Sequence, residues 1–195
     1  MHTASNKHLD NGSNSAPSFA APAPAQPAGM DADTLDFLRQ VFSLVREGNS
    51  ERLAGLIDKG MPVNFRNEKG DSLIMLASYH GHLDTVRVLL AAGADANVAN
   101  DQGQTPLAGV AYKGYLEIAE LLLQHGAKVE GGSPDGKTPL MMAAMFNRLA
   151  ILELLLKHGA RIDAVDSRGM TAVSLAKTMN AADTLAHLTA LGQTV

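Results

Sequence analysis

The side chains that could carry chemistry in this sequence are seven histidines, twenty carboxylates and a set of hydroxyls, because cysteine is absent. Without cysteine the chain has neither a thiolate nucleophile nor a cysteine zinc site. Hydrolysis or group transfer needs a nucleophile beside a base, or two carboxylates of unlike pKa, in a concave pocket. The sequence contains no phosphate-binding glycine loop, nucleophile elbow, kinase signature or metalloprotease histidine pair. We therefore expect a protein that is not an enzyme.

Two histidines merit a separate test as metal ligands. His125 and His158 are 33 residues apart, and the same spacing places Lys59 and Ala92 at the preceding positions. Zinc takes four ligands at about 2 Å, and no third histidine or cysteine falls at this spacing. We expect the pair to sit at helix ends, where the helix dipole favours a cation. No metal or other cofactor is expected.

Charge and hydropathy narrow the partners. Sixteen Lys plus Arg against twenty Asp plus Glu give a net charge of -4, and the basic residues form no cluster. Nucleic-acid binding usually needs a basic footprint, so we expect none. The longest apolar run, residues 140–146, is far shorter than the ~20 residues that span a bilayer. Lys7 precedes a segment broken by prolines rather than an export signal, so we expect a cytoplasmic protein with no membrane contact.

The first 30 residues differ in composition from the rest. Residues 11–29 hold no charge and four of the eight prolines, at positions 17, 22, 24 and 27. Proline removes a backbone donor and biases its predecessor away from helix. The composition predicts a disordered arm over residues 1–30 that serves as a spacer. The alternative is that Phe19, its one bulky residue, anchors a short motif in another protein.

The rest of the chain, residues 31–195, repeats with a period of 33. The repeated positions are Gly70, Gly103, Gly136 and Gly169, then Gly60, Gly93, Gly126, Gly159 and Gly192, and then Leu56, Leu89, Leu122, Leu155 and Leu188. A further register holds Gly48, Gly81, Gly114, Asn147 and Asn180. Glycine and asparagine are the residues that best tolerate a left-handed backbone. This last register therefore predicts a helix end in every period.

Each period is predicted to form a turn followed by two helices. In residues 101–133, Thr105 is a good N-cap and Pro106 suits the first helical position. The first helix should run to about Lys113, and the second from Leu116 to His125. A single unit of this size cannot bury its apolar faces, so neighbouring units must stack around one continuous core.

The segments Gly103-Gln-Thr-Pro-Leu107 and Gly136-Lys-Thr-Pro-Leu140, with Gly-Ala helix endings at residues 93, 126 and 159, resemble the ankyrin repeats. The resemblance covers about residues 34–192. It implies an all-α solenoid of about five helix-turn-helix units and a groove that binds partners. It also implies a structural role for His82, whereas His80 should point outward. The units are expected at about 34–66, 67–99, 100–132, 133–165 and 166–195.

The most informative residues are those that the repeat does not require. The two positions before each inter-helix Gly or Asn should face the groove, and in the three central units they are Tyr79, His80, Tyr112, Lys113, Met145 and Phe146. Aromatic side chains are over-represented in binding hot spots. We interpret these residues as a partner-binding stripe. The alternative is that Met145 and Phe146 pack into the neighbouring unit as core.

The turn tips form a second candidate surface, whose mixed charges would tune orientation and association rate. Its residues are Glu68, Lys69, Asp71, Asp101, Gln102, Gln104, Asp135 and Lys137. The sequence thus favours a monomeric, non-catalytic module that binds a protein of unknown identity. Two alternatives stay open. The groove could serve an enzyme or a small-molecule-binding protein, with Tyr79, His80 and Tyr112 as its polar groups, or the solenoid could only present the N-terminal arm.

Overall fold

The structure, a computed structural model, describes residues 31–192, so the expected N-terminal arm lies outside the described residues. The described chain is helical throughout, apart from an isolated antiparallel bridge between Arg66 and Ser72. None of its helices is long and apolar enough to span a bilayer. The helices are α1 Ala32–Glu47, α2 Ser50–Ile57, α3 Leu73–His80, α4 Leu83–Ala91, α5 Pro106–Lys113, α6 Leu116–Gln124, α7 Pro139–Met145, α8 Leu149–Lys157, α9 Ala172–Thr178 and α10 Ala182–Gly192.

The helices pair into stacked hairpins. The first helices α1, α3, α5, α7 and α9 form one row, in which each packs against the next, and the second helices form another row behind it. The all-α solenoid expected from the sequence is confirmed. Helix α1 is 16 residues long against eight for α3, because Asp31 accepts a hydrogen bond from the Thr34 N–H (2.7 Å) and starts the helix early.

Side-chain oxygens start the first helix of every unit. The N-cap of each accepts a hydrogen bond from the backbone N–H three residues on, which satisfies one of the free donors of the first turn. Thr105 accepts from the Ala108 N–H at 3.3 Å, as its predicted N-cap role requires, and Pro106 follows at the first helical position. The N-caps are Asp31, Ser72, Thr105, Thr138 and Thr171.

The predicted glycine and asparagine register lies at the ends of the first helices. All five residues have positive φ, between 54° and 94°. At three of them the side chain 34 residues later covers the position, so that a Cβ added at Gly81 would come within 2.8 Å of Tyr115 Cζ. The same relation links Gly48 with His82 and Gly114 with Arg148. Glycine is thus required there by the backbone angle and by the closeness of the next unit.

A row of leucines from the second helices forms the centre of the core. Leu89, Leu122, Leu155 and Leu188 are each at most 1% exposed. Leu56, the first member of the predicted ladder, is only partly buried, because no unit packs on its other side within the described chain. The stack therefore buries a continuous apolar core, as repeat architectures must.

Polar side chains also join consecutive units behind the helices. The Asn64 Oδ1 atom accepts from the Asp95 N–H (3.0 Å), and Asn97 Oδ1 accepts from the Lys128 N–H (2.8 Å). Glu130 takes the third place in this ladder and accepts from the Arg161 N–H (2.7 Å). Each of these bonds holds two neighbouring units in register.

Candidate partner-binding groove

An open groove of about 970 Å³ runs between the ends of the first helices and the turn tips. It crosses the three central units. The groove is lined by Lys69, Asp71, Met75, Leu76, Tyr79, His80, Asn100, Gln102, Gln104, Pro106, Ala108, Gly109, Tyr112, Ser133, Pro134, Asp135, Lys137, Met142, Met145 and Phe146. The two surfaces singled out in the sequence, the helix-end stripe and the turn tips, therefore face the same space.

Three rings form a connected row on the groove floor, which we call the aromatic row. Tyr79 and Tyr112 lie nearly parallel, with ring centres 6.4 Å apart and an interplanar angle of 12°. The Tyr112 and Phe146 rings meet edge to face, with centres 4.5 Å apart and planes at 89°. Both arrangements are favoured by the ring quadrupoles. The period of 33 places the rings on adjacent helices and the packing of those helices brings them into contact.

The aromatic row is only partly covered. The Tyr79 side of the row is 42% exposed, whereas Tyr112 and Phe146 are half-buried. Met145 is also half-buried, and it packs against the core. The core interpretation thus applies in part to Met145, but the rings keep surface that faces the groove.

Lys113 lies above the aromatic row rather than among the groove-lining residues. Its Nζ atom is 4.4 Å from the ring centre of Tyr79 and 5.8 Å from that of Tyr112. An ammonium over the face of a tyrosine is attracted by the ring quadrupole. The contact holds the lysine side chain against the wall and leaves its charge at the groove.

The turn tips are shaped by side-chain caps that the sequence analysis did not identify. Asn67 Oδ1 accepts from the N–H groups of Lys69 and Asp71, both at 2.9 Å. Asn100 and Asp166 make the same pair of bonds one and three units later. These residues are spaced by multiples of 33, so the period and their turn-forming side chains were a usable signal.

Two turn-tip residues point away from the groove. Asp101 forms an ion pair with Arg66 at 3.0 Å, and its N–H donates to the Lys69 carbonyl oxygen (3.1 Å). Glu68 is exposed and does not line the groove either. The groove therefore brings together the predicted turn-tip residues except Asp101 and Glu68.

The third turn tip differs from its neighbours. Asp101 N–H and Ser167 N–H each donate to a carbonyl of the preceding tip, those of Lys69 and Asp135. Pro134 occupies the equivalent position between them and has no N–H, so it makes no such bond. Its ring instead packs on Gly103, where an added Cβ would lie 2.4 Å from the proline Cδ.

Asp135 and Lys137 form a tight polar cluster on this tip. Lys137 Nζ and the Ser133 hydroxyl both bond the Asp135 carboxylate. The Lys137 side chain, followed by the Ser133 hydroxyl, lowers the pKa of Asp135 from its ordinary 3.8 to about 2. The carboxylate and the ammonium therefore largely neutralise each other.

His80 and His82 have the different roles expected of them. The Nε2–H of His82 donates to the Arg46 carbonyl oxygen (2.7 Å), at the end of the preceding first helix. His80 is exposed at the groove, edge-on to Tyr79 with ring centres 5.9 Å apart. Desolvation lowers the pKa of His80, and the positive charges of His82, Arg46 and Lys113 lower it further.

The arrangement offers contact surface rather than reactive groups. Tyr79, His80 and Tyr112, the polar groups of the enzyme alternative, share the groove, but no hydrogen bond joins any two of them. Among the described residues, no three His, Asp or Glu side chains are placed to hold a metal ion. His125 and His158 are exposed C-cap residues of α6 and α8, as expected.

Three methionines that the sequence analysis did not select also belong to this surface. Met75 and Met142 line the groove beside the aromatic row. Met179 is 47% exposed and occupies the position equivalent to Lys113 and Phe146 in the last unit. The 33-residue register pointed to Met179, whereas Met75 and Met142 could be placed only from the structure.

The chain was then compared with known proteins. Models of the ankyrin repeat match residues 42–132, as three copies, and residues 135–167. A protein described as putative ankyrin repeat protein PA3287, from Pseudomonas aeruginosa, is 59% identical over 59 residues. That match covers 30% of this chain and 34% of the relative, so it spans about a third of the relative's length. With the stacked helical hairpins described above, these matches show that the chain belongs to the ankyrin-repeat family.

Proposed function

We propose that this chain is a non-catalytic module that binds a protein partner through its concave groove and the adjoining turn tips. Ankyrin repeats are in general protein-interaction modules. The observation that carries the proposal is the aromatic row, a run of contacting rings that stays partly exposed on an open concave surface. Exposed apolar stripes of this kind usually mark contact sites.

The stack explains how such a surface could bind with useful affinity. The rings are held by neighbouring units before any partner arrives, so little side-chain entropy is lost on binding. A few anchors of this type, surrounded by polar groups, supply most of the energy in protein interfaces. Whether binding inhibits, delivers or scaffolds the partner depends on that partner. A monomer acting on proteins in the cytoplasm, without nucleic acid or membrane, accords with the absence of a basic cluster.

The direct experiment is capture of partners from an extract of the source cells on the immobilised full chain, with mass spectrometry. A protein recovered on the wild type should be lost on Tyr79→Ala combined with Tyr112→Ala. We expect its affinity to fall by about 2 kcal/mol or more, as for hot-spot truncations. Phe37→Ala is the matched control, because Phe37 is 39% exposed on α1 and does not line the groove.

Unchanged capture by the double variant, with its circular dichroism spectrum intact, would refute the groove assignment. Deletion of residues 1–30 tests the alternative in which the solenoid only presents the arm. Binding through the groove should survive this deletion. Loss of the partner from the truncated chain alone would instead assign recognition to the arm.

A further inference from the structure

The charged groups of the groove are not equivalent, because its acids are already engaged. Asp71 accepts hydrogen bonds from the Asn100 amide at Oδ1 (2.9 Å) and from the Asn67 amide at Oδ2 (3.1 Å). Asp135 is bonded by Ser133 and Lys137. Each carboxylate thus has internal donors, so neither needs a donor from a partner.

The cations Lys69 and Lys113 have no such partners. Lys113 faces the rings of Tyr79 and Tyr112, and it forms no ion pair with a carboxylate of the described chain. Lys69 is exposed on its turn tip, and within the same part of the chain its ammonium is likewise unpaired. Ammonium groups beside apolar surface attract a carboxylate more strongly than those in open water.

The local charge is opposite to that of the whole molecule. The chain carries a net charge of -4, yet the helix ends at this side of the groove present Arg46, His80 and Lys113. The groups that act on the His80 imidazole are His82, Arg46 and Lys113, so the surrounding field is positive. An interface usually pairs potentials of opposite sign, and this side of the groove suits a negative partner.

We propose that the partner segment in the groove presents an aspartate or glutamate side chain beside a large apolar side chain. The apolar group covers the aromatic row, and the carboxylate meets the ammonium groups of Lys113 and Lys69. This inference rests on the proposed function, since it names the chemistry of the segment bound at that same groove.

A random 12-residue peptide library displayed on phage tests it on the immobilised full chain. Peptides that bind the wild type but not the Tyr79→Ala, Tyr112→Ala variant report on the groove. We expect these peptides to be enriched in Asp or Glu next to Phe, Leu, Trp or Met. Absence of any peptide that depends on the two tyrosines would count against the groove function itself. Tyrosine-dependent peptides without an excess of acids would overturn only the acidic partner.

A charge-swap cycle tests the contact more directly. The best acidic peptide, labelled with fluorescein, is measured by anisotropy against the wild type, Lys113→Glu and the control Lys157→Glu on α8. Reversal at Lys113 should weaken binding roughly tenfold or more, because like charges then meet at an interface. The same peptide with its acid changed to lysine should recover affinity for Lys113→Glu. Equal binding by all three proteins, or no recovery by the lysine peptide, would contradict the contact.

Discussion

The side chains of Asn147 and Asp183 bond each other's units reciprocally across 36 residues. The Asn147 Nδ2 group donates to the Asp183 carboxylate (2.8 Å), and its Oδ1 accepts from the Asp183 N–H (3.0 Å). The same oxygen accepts from the Thr184 N–H at 3.1 Å. Asn147 thus caps the first turn of α10 from the preceding unit, a role that glycine at this register could not perform.

Asn147→Gly should therefore destabilise the protein although it relaxes the backbone, whose φ is 54°. Loss of the cap should lower the free energy of unfolding by about 1 kcal/mol. The measurement is urea denaturation followed by circular dichroism. Asn180→Gly is the matched control, because its φ is 55° and its side chain makes no hydrogen bond within the described chain. Equal effects of the two changes would show that the interunit cap contributes nothing.

Two buried hydroxyls should destabilise the stack. Ser78 Oγ and Thr85 Oγ1 are fully buried without a hydrogen-bond partner in the described part of the molecule. Neighbouring units hold Ala111 at the position of Ser78 and Ile118 at that of Thr85. Ser78→Ala and Thr85→Val should each raise the free energy of unfolding by about 1 kcal/mol, since they remove an unsatisfied buried group.

Thr184→Val provides the contrast for these two variants. Thr184 is the residue equivalent to Thr85 in the last unit, but its hydroxyl donates to the Ala144 carbonyl oxygen at 2.8 Å. Its replacement should lower the melting temperature, whereas the other two should raise it. A fall for all three would mean that the hydroxyls of Ser78 and Thr85 are satisfied in solution.

Gly81→Ala should be more harmful than Gly93→Ala, although both glycines have φ near +80° (80° and 84°). Each change should cost about 1–2 kcal/mol in backbone strain. At Gly81 the new Cβ would also meet Tyr115 at 2.8 Å, whereas nothing lies within 4 Å at Gly93. Thermal unfolding of both variants, and of Gly81→Ala combined with Tyr115→Ala, separates the two effects. The double variant should be less destabilised than the sum of its single changes.

The pKa of Asp135 offers a readout of its turn tip. Carbon-detected NMR should find this carboxyl titrating at about 2, below its ordinary 3.8. Lys137→Met should raise the pKa towards 3.8, because it removes the group that lowers it most. The cluster stabilises the folded tip above pH 3.8, and this contribution disappears as the pH falls from 3.8 towards 2. An unchanged midpoint in Lys137→Met would assign the shift to the Ser133 hydroxyl and the backbone.

The period of the sequence was enough to predict the hairpins and their ends. Thr105 and Pro106 determine locally where α5 begins, and the backbone preference of glycine and asparagine determines where the first helices end. Such features depend on one or two neighbouring residues. The same register placed Tyr79, Tyr112 and Phe146 at equivalent or adjacent positions, which made the groove stripe predictable.

The contacts between units were decided only by tertiary structure. Sequence spacing could not show that Lys113 lies over Tyr79, that Asn147 caps α10, or that Asp101 turns away to Arg66. These contacts depend on how far one helical hairpin is displaced against the next, which follows from packing across the whole stack. Local rules thus determined the repeated unit, whereas the stacking of the units determined which side chains remain available at the groove.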